Sequence, residues 1–109
     1  MSNNGHLSPE ETEEIVFLVK SYIRLATACD LEKELPVDAR ITHIGEAEDV
    51  PILLGYLKND KNLNLRWSEN VQRAWDEVLN DTSKVERLTV GSFITFVLHR
   101  KEKEKSAHS

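Results

Sequence analysis

Apolar residues recur at three- and four-residue intervals early in the chain: Ile15, Leu18, Val19, Tyr22, Leu25, Ala26 and Cys29. On an α-helix that spacing gathers them on one face. Val16, Phe17 and Ile23 widen the stripe, so this helix is expected to be well covered. Its start is written in "LSPEE": Ser8 as N-cap, Pro9 in the first helical position and Glu11 closing a capping box. In that box the two residues each satisfy a free backbone N–H of the other. The pattern predicts a helix over residues 9–29.

A second period, Val50, Leu53, Leu54 and Leu57, predicts a helix beginning near Glu48, with Asp49 as its N-cap and Pro51 in its first turn, where a missing N–H costs little. Glu46 and Glu48 bring negative charge to the positive end of the helix dipole. Gly55 weakens this helix by about 1 kcal/mol relative to Ala unless something packs closely there. "NLNLRW" alternates polar and apolar residues, an extended connector with Leu63, Leu65 and Trp67 on one side. Ser68 caps a third helix, "SENVQRAWDEVL", with Val71, Ala74, Trp75 and Val78 inward, and "NDTSK" ends it. Thr89 caps a last helix, "VGSFITFVLHR", in which Val90, Phe93, Ile94 and Val97 face inward while His99, Arg100 and Lys101 suit the C-terminal end. The remaining "KEKEKSAHS" reads as a solvated, frayed charge run.

Between the first two helices lies a stretch of about 18 residues, with one Pro, one Gly and no helical period. A connection this long inside a small domain is uncommon. Its apolar residues Leu31, Leu35, Val37, Ile41 and Ile44 are spaced as in a loop laid over a core. The expected fold is therefore all-α, a four-helix bundle with a long first loop. Residues 1–8 are expected to be a flexible N-terminus, 9–100 a single helical domain and 101–109 a flexible charged tail.

Charge and composition narrow the function. The chain has 109 residues, 30% of them charged and 39% hydrophobic, as in a soluble globular domain. A formal charge of −5 argues against nucleic-acid binding, which needs a basic face. Cys29 is the single cysteine, so neither an intramolecular disulfide nor a thiolate metal cluster forms, and its place on the first stripe makes it a small core residue. The longest apolar run, "IVFLV", is far short of a membrane span, and the N-terminus has no basic-then-apolar leader pattern, so a cytoplasmic location is expected.

The order of elements resembles the acyl carrier protein family. In that family a capped first helix is followed by a long ordered loop reading roughly Pro-Asp-apolar-x-x-apolar-Gly, and then by a helix that opens Asp-Ser-Leu. The closing helix commonly begins Thr-Val-Gly-Asp-Leu. Pro36, Val37, Asp38, Ile41, Ile44 and Gly45 match the first pattern, and Thr89, Val90 and Gly91 the second, with Ser92 and Phe93 replacing Asp-Leu. The resemblance covers about residues 9–100, and the chain departs from the family pattern by an extra helix, built around Trp75, between the second and last family helices. The resemblance implies that the serine carrying the phosphopantetheine arm falls at Glu48 and the preceding Asp at Ala47. A carboxylate has no hydroxyl to attack the phosphate of coenzyme A, so the family's cofactor is not expected at this position.

Other chemistry is sparse. His6, His43, His99 and His108 lie at no metal-ligand spacing, so no metal is expected, and no phosphate-binding or nucleophile motif is present. No side chains form a nucleophile–base pair, so an enzyme is not expected. Ser68 and Ser92, the remaining hydroxyls near helix starts, each read as a cap or a surface residue. Trp67 reads either as a lid over the start of the third helix or as an exposed anchor for a partner. The expectation is a carrier-like module without the prosthetic arm, working through a protein partner, with Glu46, Glu48, Asp49, Tyr56 and Trp67 as the interaction candidates. The alternatives are a true phosphopantetheine carrier with a displaced serine, or an unrelated helical regulatory or inhibitor protein.

Overall fold

The computed structural model describes residues 7–28 and 34–107, with side chains through Lys103. The described part of the chain is all-α. Its helices number six rather than four: α1 (Pro9–Thr27), α2 (Ile41–Ile44), α3 (Asp49–Asn59), α4 (Glu69–Leu79), α5 (Thr82–Arg87) and α6 (Val90–Ala107). α1 packs against α3 and α6, and α5 packs against α4 and α2. Among the described residues no helix is long and apolar enough to cross a membrane.

The Ser8–Glu11 capping box forms, with Glu11 N–H donating to Ser8 Oγ at 3.1 Å and Ser8 N–H to Glu11 Oε1 at 3.3 Å. Ile15, Val19, Ile23 and Ala26 are buried. Two residues assigned to the covered stripe are not covered: Phe17 is 70% exposed and Leu25 57%. At about 100° per residue, each lies about 200° round the helix from a buried neighbour two positions earlier, Ile15 and Ile23 respectively. Apolar character put them in the stripe, and angle takes them out. The helix also stops short of residue 29, because Ala28 takes a left-handed conformation, φ 55°, and its N–H turns back to the carbonyls of Arg24 and Leu25. Cys29 and Leu31 lie outside the described residues.

The first loop is pinned to the start of α6. Arg40 and Thr89 form an isolated antiparallel bridge. Ile41 N–H donates to Leu88 O at 3.0 Å, Val90 N–H to Ala39 O at 2.9 Å and Gly91 N–H to Val37 O at 2.8 Å. A Cβ on Gly91 would stand 3.0 Å from that Val37 oxygen, so the approach depends on glycine. Leu35 and Ile41 enter the core, whereas Val37, expected to lie over it, is 57% exposed. The Thr89 cap is reciprocal: Ser92 N–H donates to Thr89 Oγ1 at 3.2 Å and Thr89 N–H to Ser92 Oγ at 3.1 Å.

α3 buries Val50, Leu53, Leu54 and Leu57 as its period predicts. At its end Asp60 ties two segments together. One carboxylate oxygen accepts Leu63 N–H at 2.7 Å, and the other accepts the Tyr22 hydroxyl of α1. Hydrogen bonding to Asp60, helped by burial and the carboxylate's charge, pushes Tyr22 up to about 12. The connector lays Leu63 and Leu65 into the core. Its carbonyls are held from α6: Arg100 donates to Arg66 O at 2.8 Å and Lys101 Nζ to Leu63 O at 2.6 Å. These cations, expected to serve the C-terminus of their own helix, serve the connector instead, because α6 runs on through the charged stretch to Ala107. Lys and Glu are good helix formers, and no Gly or Pro interrupts them.

Ser68 caps α4 by accepting Val71 N–H at 3.2 Å. Trp75 is buried, but Ala74 is exposed. "NDTSK" is not the end of helical structure. Asp81 caps α5, accepting the Ser83 N–H at 3.0 Å and hydroxyl at 2.7 Å, and these bonds hold its carboxyl below the usual carboxylate range. α5 has one buried residue, Val85, too little to show a period.

Three substitutions test this account. Ala28→Gly relieves the left-handed cap and Gly55→Ala adds a Cβ with nothing within 4 Å. Each should stabilise the chain by about 0.5–1 kcal/mol, measured by urea unfolding. Tyr22→Phe should cost about 1 kcal/mol at neutral pH. Because the folded hydroxyl titrates above its ordinary value of 10.0, at about 12, its contribution is complete below pH 10 and fades as pH rises towards 12. The penalty of Tyr22→Phe should shrink across that window.

Candidate functional site

The start of α3 is built by the loop before it. α2 closes on itself, with Gly45 N–H donating to Ile41 O at 2.8 Å. Gly45 then passes between two side chains: a Cβ there would fall 2.5 Å from Asp49 Oδ2 and 2.7 Å from Thr27 Cγ2. Glu46, Ala47 and Glu48 form the exposed turn that follows. Glu46 N–H donates to Asp49 Oδ2 at 2.8 Å, and Asp49 N–H donates to Glu46 O at 3.0 Å. The turn is thus closed from both sides.

Asp49 does not occupy the N-cap position it was expected to hold. Glu48 does, in a helical conformation (φ −66°, ψ −18°) and with no side-chain cap bond. Asp49 is the first residue of the helix and reaches back to the turn. Its carboxylate is engaged inside the fold, while those of Glu46 and Glu48 have no partner among the described residues. Of the three acids, Glu46 and Glu48 are the pair available to a partner.

Along α3 the outward strip continues through Ile52, 48% exposed, and Tyr56, 39% exposed. Tyr56 stacks on Tyr22 of α1, ring centroids 5.4 Å apart and planes 19° from parallel. Ile52, Gly55, Tyr56 and Asp60 line a shallow hollow of about 360 Å³ with Tyr22. Beside the turn itself, Arg40, His43, Gly45, Glu46 and Ala47 line a separate cleft of about 470 Å³ with α5. The acidic turn borders the second of these depressions. It carries no nucleophile beside a base, and among the described residues no three His, Cys, Asp or Glu side chains group to hold a metal.

Trp67 lies in a different neighbourhood. It is half-buried, its indole N–H donates to Gln72 Oε1 at 2.7 Å, and its ring meets Phe96 edge-on at 5.7 Å. Of the two sequence readings, the lid fits these contacts. The structure therefore sets Glu46, Glu48 and Asp49 at the start of α3 with Tyr56 about two turns further along it, and leaves Trp67 on the α4–α6 side.

That side holds a feature the sequence reading missed: an open groove of about 530 Å³ floored by Trp75, Val78, Leu88 and Phe96 and ending at Arg100 and Lys103. Trp75 stacks on Phe93 at 5.4 Å and meets Phe96 edge-on at 5.2 Å. Its one sequence signal is the stripe Val71, Ala74, Trp75, Val78, of which only Trp75 is buried.

No protein-family model, no curated protein and no solved structure matches this chain.

The tight passage at Gly45 makes a local prediction. Gly45→Ala forces Thr27 and the Asp49 carboxylate apart and should destabilise by about 1–3 kcal/mol, read by urea unfolding. The same change at Gly55 is the control for helix propensity.

Proposed function

We propose that this chain is an acyl-carrier-protein-like helical module without the prosthetic arm, acting through protein–protein contact at the acidic start of α3. The observation that carries the reading is the placement of Glu48: three residues past Gly45, at the head of the helix, exposed and without a partner among the described residues. In the family that place belongs to the arm-bearing serine. Here the backbone arrangement that would present the arm presents a carboxylate, held on a turn closed by the Glu46–Asp49 bonds.

Further support comes from the loop. Its anchorage to Thr89, Val90 and Gly91 joins the two segments on which the resemblance rests. Two helices, α4 and α5, intervene between α3 and α6, which is more than the family pattern contains. A carboxylate cannot replace a hydroxyl as the nucleophile on the coenzyme A phosphate, so the module keeps a docking surface and loses the group-transfer step. Exposed acids on a fixed turn suit a basic patch on the partner: they speed encounter and set register more than they add affinity.

The test is mass spectrometry of the intact protein from its own host. The mass should equal that of the bare chain, and incubation with coenzyme A and a phosphopantetheinyl transferase should add nothing. The paired change Ala47→Asp/Glu48→Ser, which restores the family's Asp-Ser, should then allow a phosphopantetheine increment. A native chain already carrying the increment, or a paired variant that stays folded and gains none, overturns the reading.

A further inference from the structure

Two of the apolar features left uncovered among the described residues match each other. The first is the outer face of α1, where Phe17 is the most exposed of the described large hydrophobic residues at 70%. Glu10 and Glu13 precede it by seven and four positions, and both are exposed. At about 100° per residue all three fall within about 40° of one line along the helix. The second is the α4–α6 groove, in which Phe96 and Trp75 form the floor and Arg100 and Lys103 the end. Arg100 and Lys103 follow Phe96 by four and seven positions on α6.

The spacings are mirror images. Laid antiparallel, with Phe17 over the Trp75–Phe96 floor, α1 of one molecule places Glu13 opposite Arg100 and Glu10 opposite Lys103 of another. The offsets agree because both are set by the same helical rise, about 6 Å for four residues and about 10.5 Å for seven. An aromatic side chain seated on aromatic rings, flanked by opposite charges, is the arrangement of an amphipathic helix lying in a groove. Glu10 and Glu13 have no partner among the described residues. Lys103 is equally unengaged there, and Arg100 uses Nη2 for the Arg66 carbonyl while its other donors remain for a carboxylate. Although the chain carries a net charge of −5, the groove ends in two cations, and the acidic α1 strip complements them.

We propose that the α4–α6 groove is a self-association site that receives the Phe17 face of α1 from a second copy of this chain. The surface is distinct from the acidic turn of α3, so the two readings stand or fall separately.

Analytical ultracentrifugation of the full chain over a dilution series is the experiment. The mass should rise above that of the monomer as concentration rises, and added salt should weaken the association because the charge pairs lie at the groove rim. Phe17→Ser, at an exposed position, should leave helicity by circular dichroism unchanged and weaken association at least about tenfold. Lys103→Glu should weaken it as well, and Glu10→Lys in the same chain should restore it. Val37→Ser, which removes a different exposed hydrophobic residue, should have no effect. A chain that stays monomeric up to about 1 mM overturns the proposal and leaves the groove to another acidic helix. Association that persists in Phe17→Ser, or that Val37→Ser weakens equally, overturns it too.

Discussion

The carbonyls of Val37 and Ala39 bonded to the first amides of α6 are the constraint on which the rest of this fold depends. A helix start leaves backbone N–H groups without intrahelical partners, and a long loop leaves carbonyls in the same condition. Here each deficit meets the other: Val90 and Gly91 donate into the loop, while Ile41 N–H donates back to Leu88 O. Each bond contributes only about 1 kcal/mol net, but leaving such groups buried and unpaired would cost more. The clamp keeps Leu35 and Ile41 in the core and lets a segment without helical period behave as ordered structure. Gly91 permits it, since a side chain there would meet the Val37 carbonyl.

The second irregular segment is held by the same logic with side chains in place of backbone. Asp60 stops α3, accepts the Leu63 amide and binds the Tyr22 hydroxyl, so one carboxylate orients the connector and joins it to α1. Lys101 and Arg100 reach from α6 to the carbonyls of Leu63 and Arg66. The connector is thereby fixed at both ends of its apolar alternation, and Leu63 and Leu65 stay buried. These anchors also shape the surface. The first places the acidic turn beside α5, and the second sets Arg100 at the end of the groove above Trp75 and Phe96.

The two exposed regions differ in chemistry as they differ in construction. The turn ahead of α3 is acidic, closed by Asp49 and bordered by a cleft, a surface suited to electrostatic docking. The groove between α4 and α6 is apolar and aromatic with a cationic end, a surface suited to seating a side chain. Under the proposed reading, a single carboxylate at Glu48 separates the first from a prosthetic-group site. Covalent chemistry needs a hydroxyl there, whereas docking needs only a charge in a fixed place.

Local interactions were legible in the residues, because their partners lie within a turn of one another. The Ser8–Glu11 box, the Ser68 and Thr89 caps, the buried period of α3 and the inward set Val90, Phe93, Ile94 and Val97 all follow from spacing alone. The candidate site was legible as an acidic helix start, but the division of labour within it was not. Only the fold turns Asp49 inward to its own turn and leaves Glu48 outside, since that depends on how Gly45 passes Thr27. Phe17 and Leu25 are apolar by sequence, yet whether α1 is covered on that side depends on which helices pack against it, and α3 and α6 take the other face. α5 exists because Val85 has a core to enter, and Lys101 finds its carbonyl 38 positions away. Contacts of that sequence separation leave no period in the chain, so tertiary structure alone decided them.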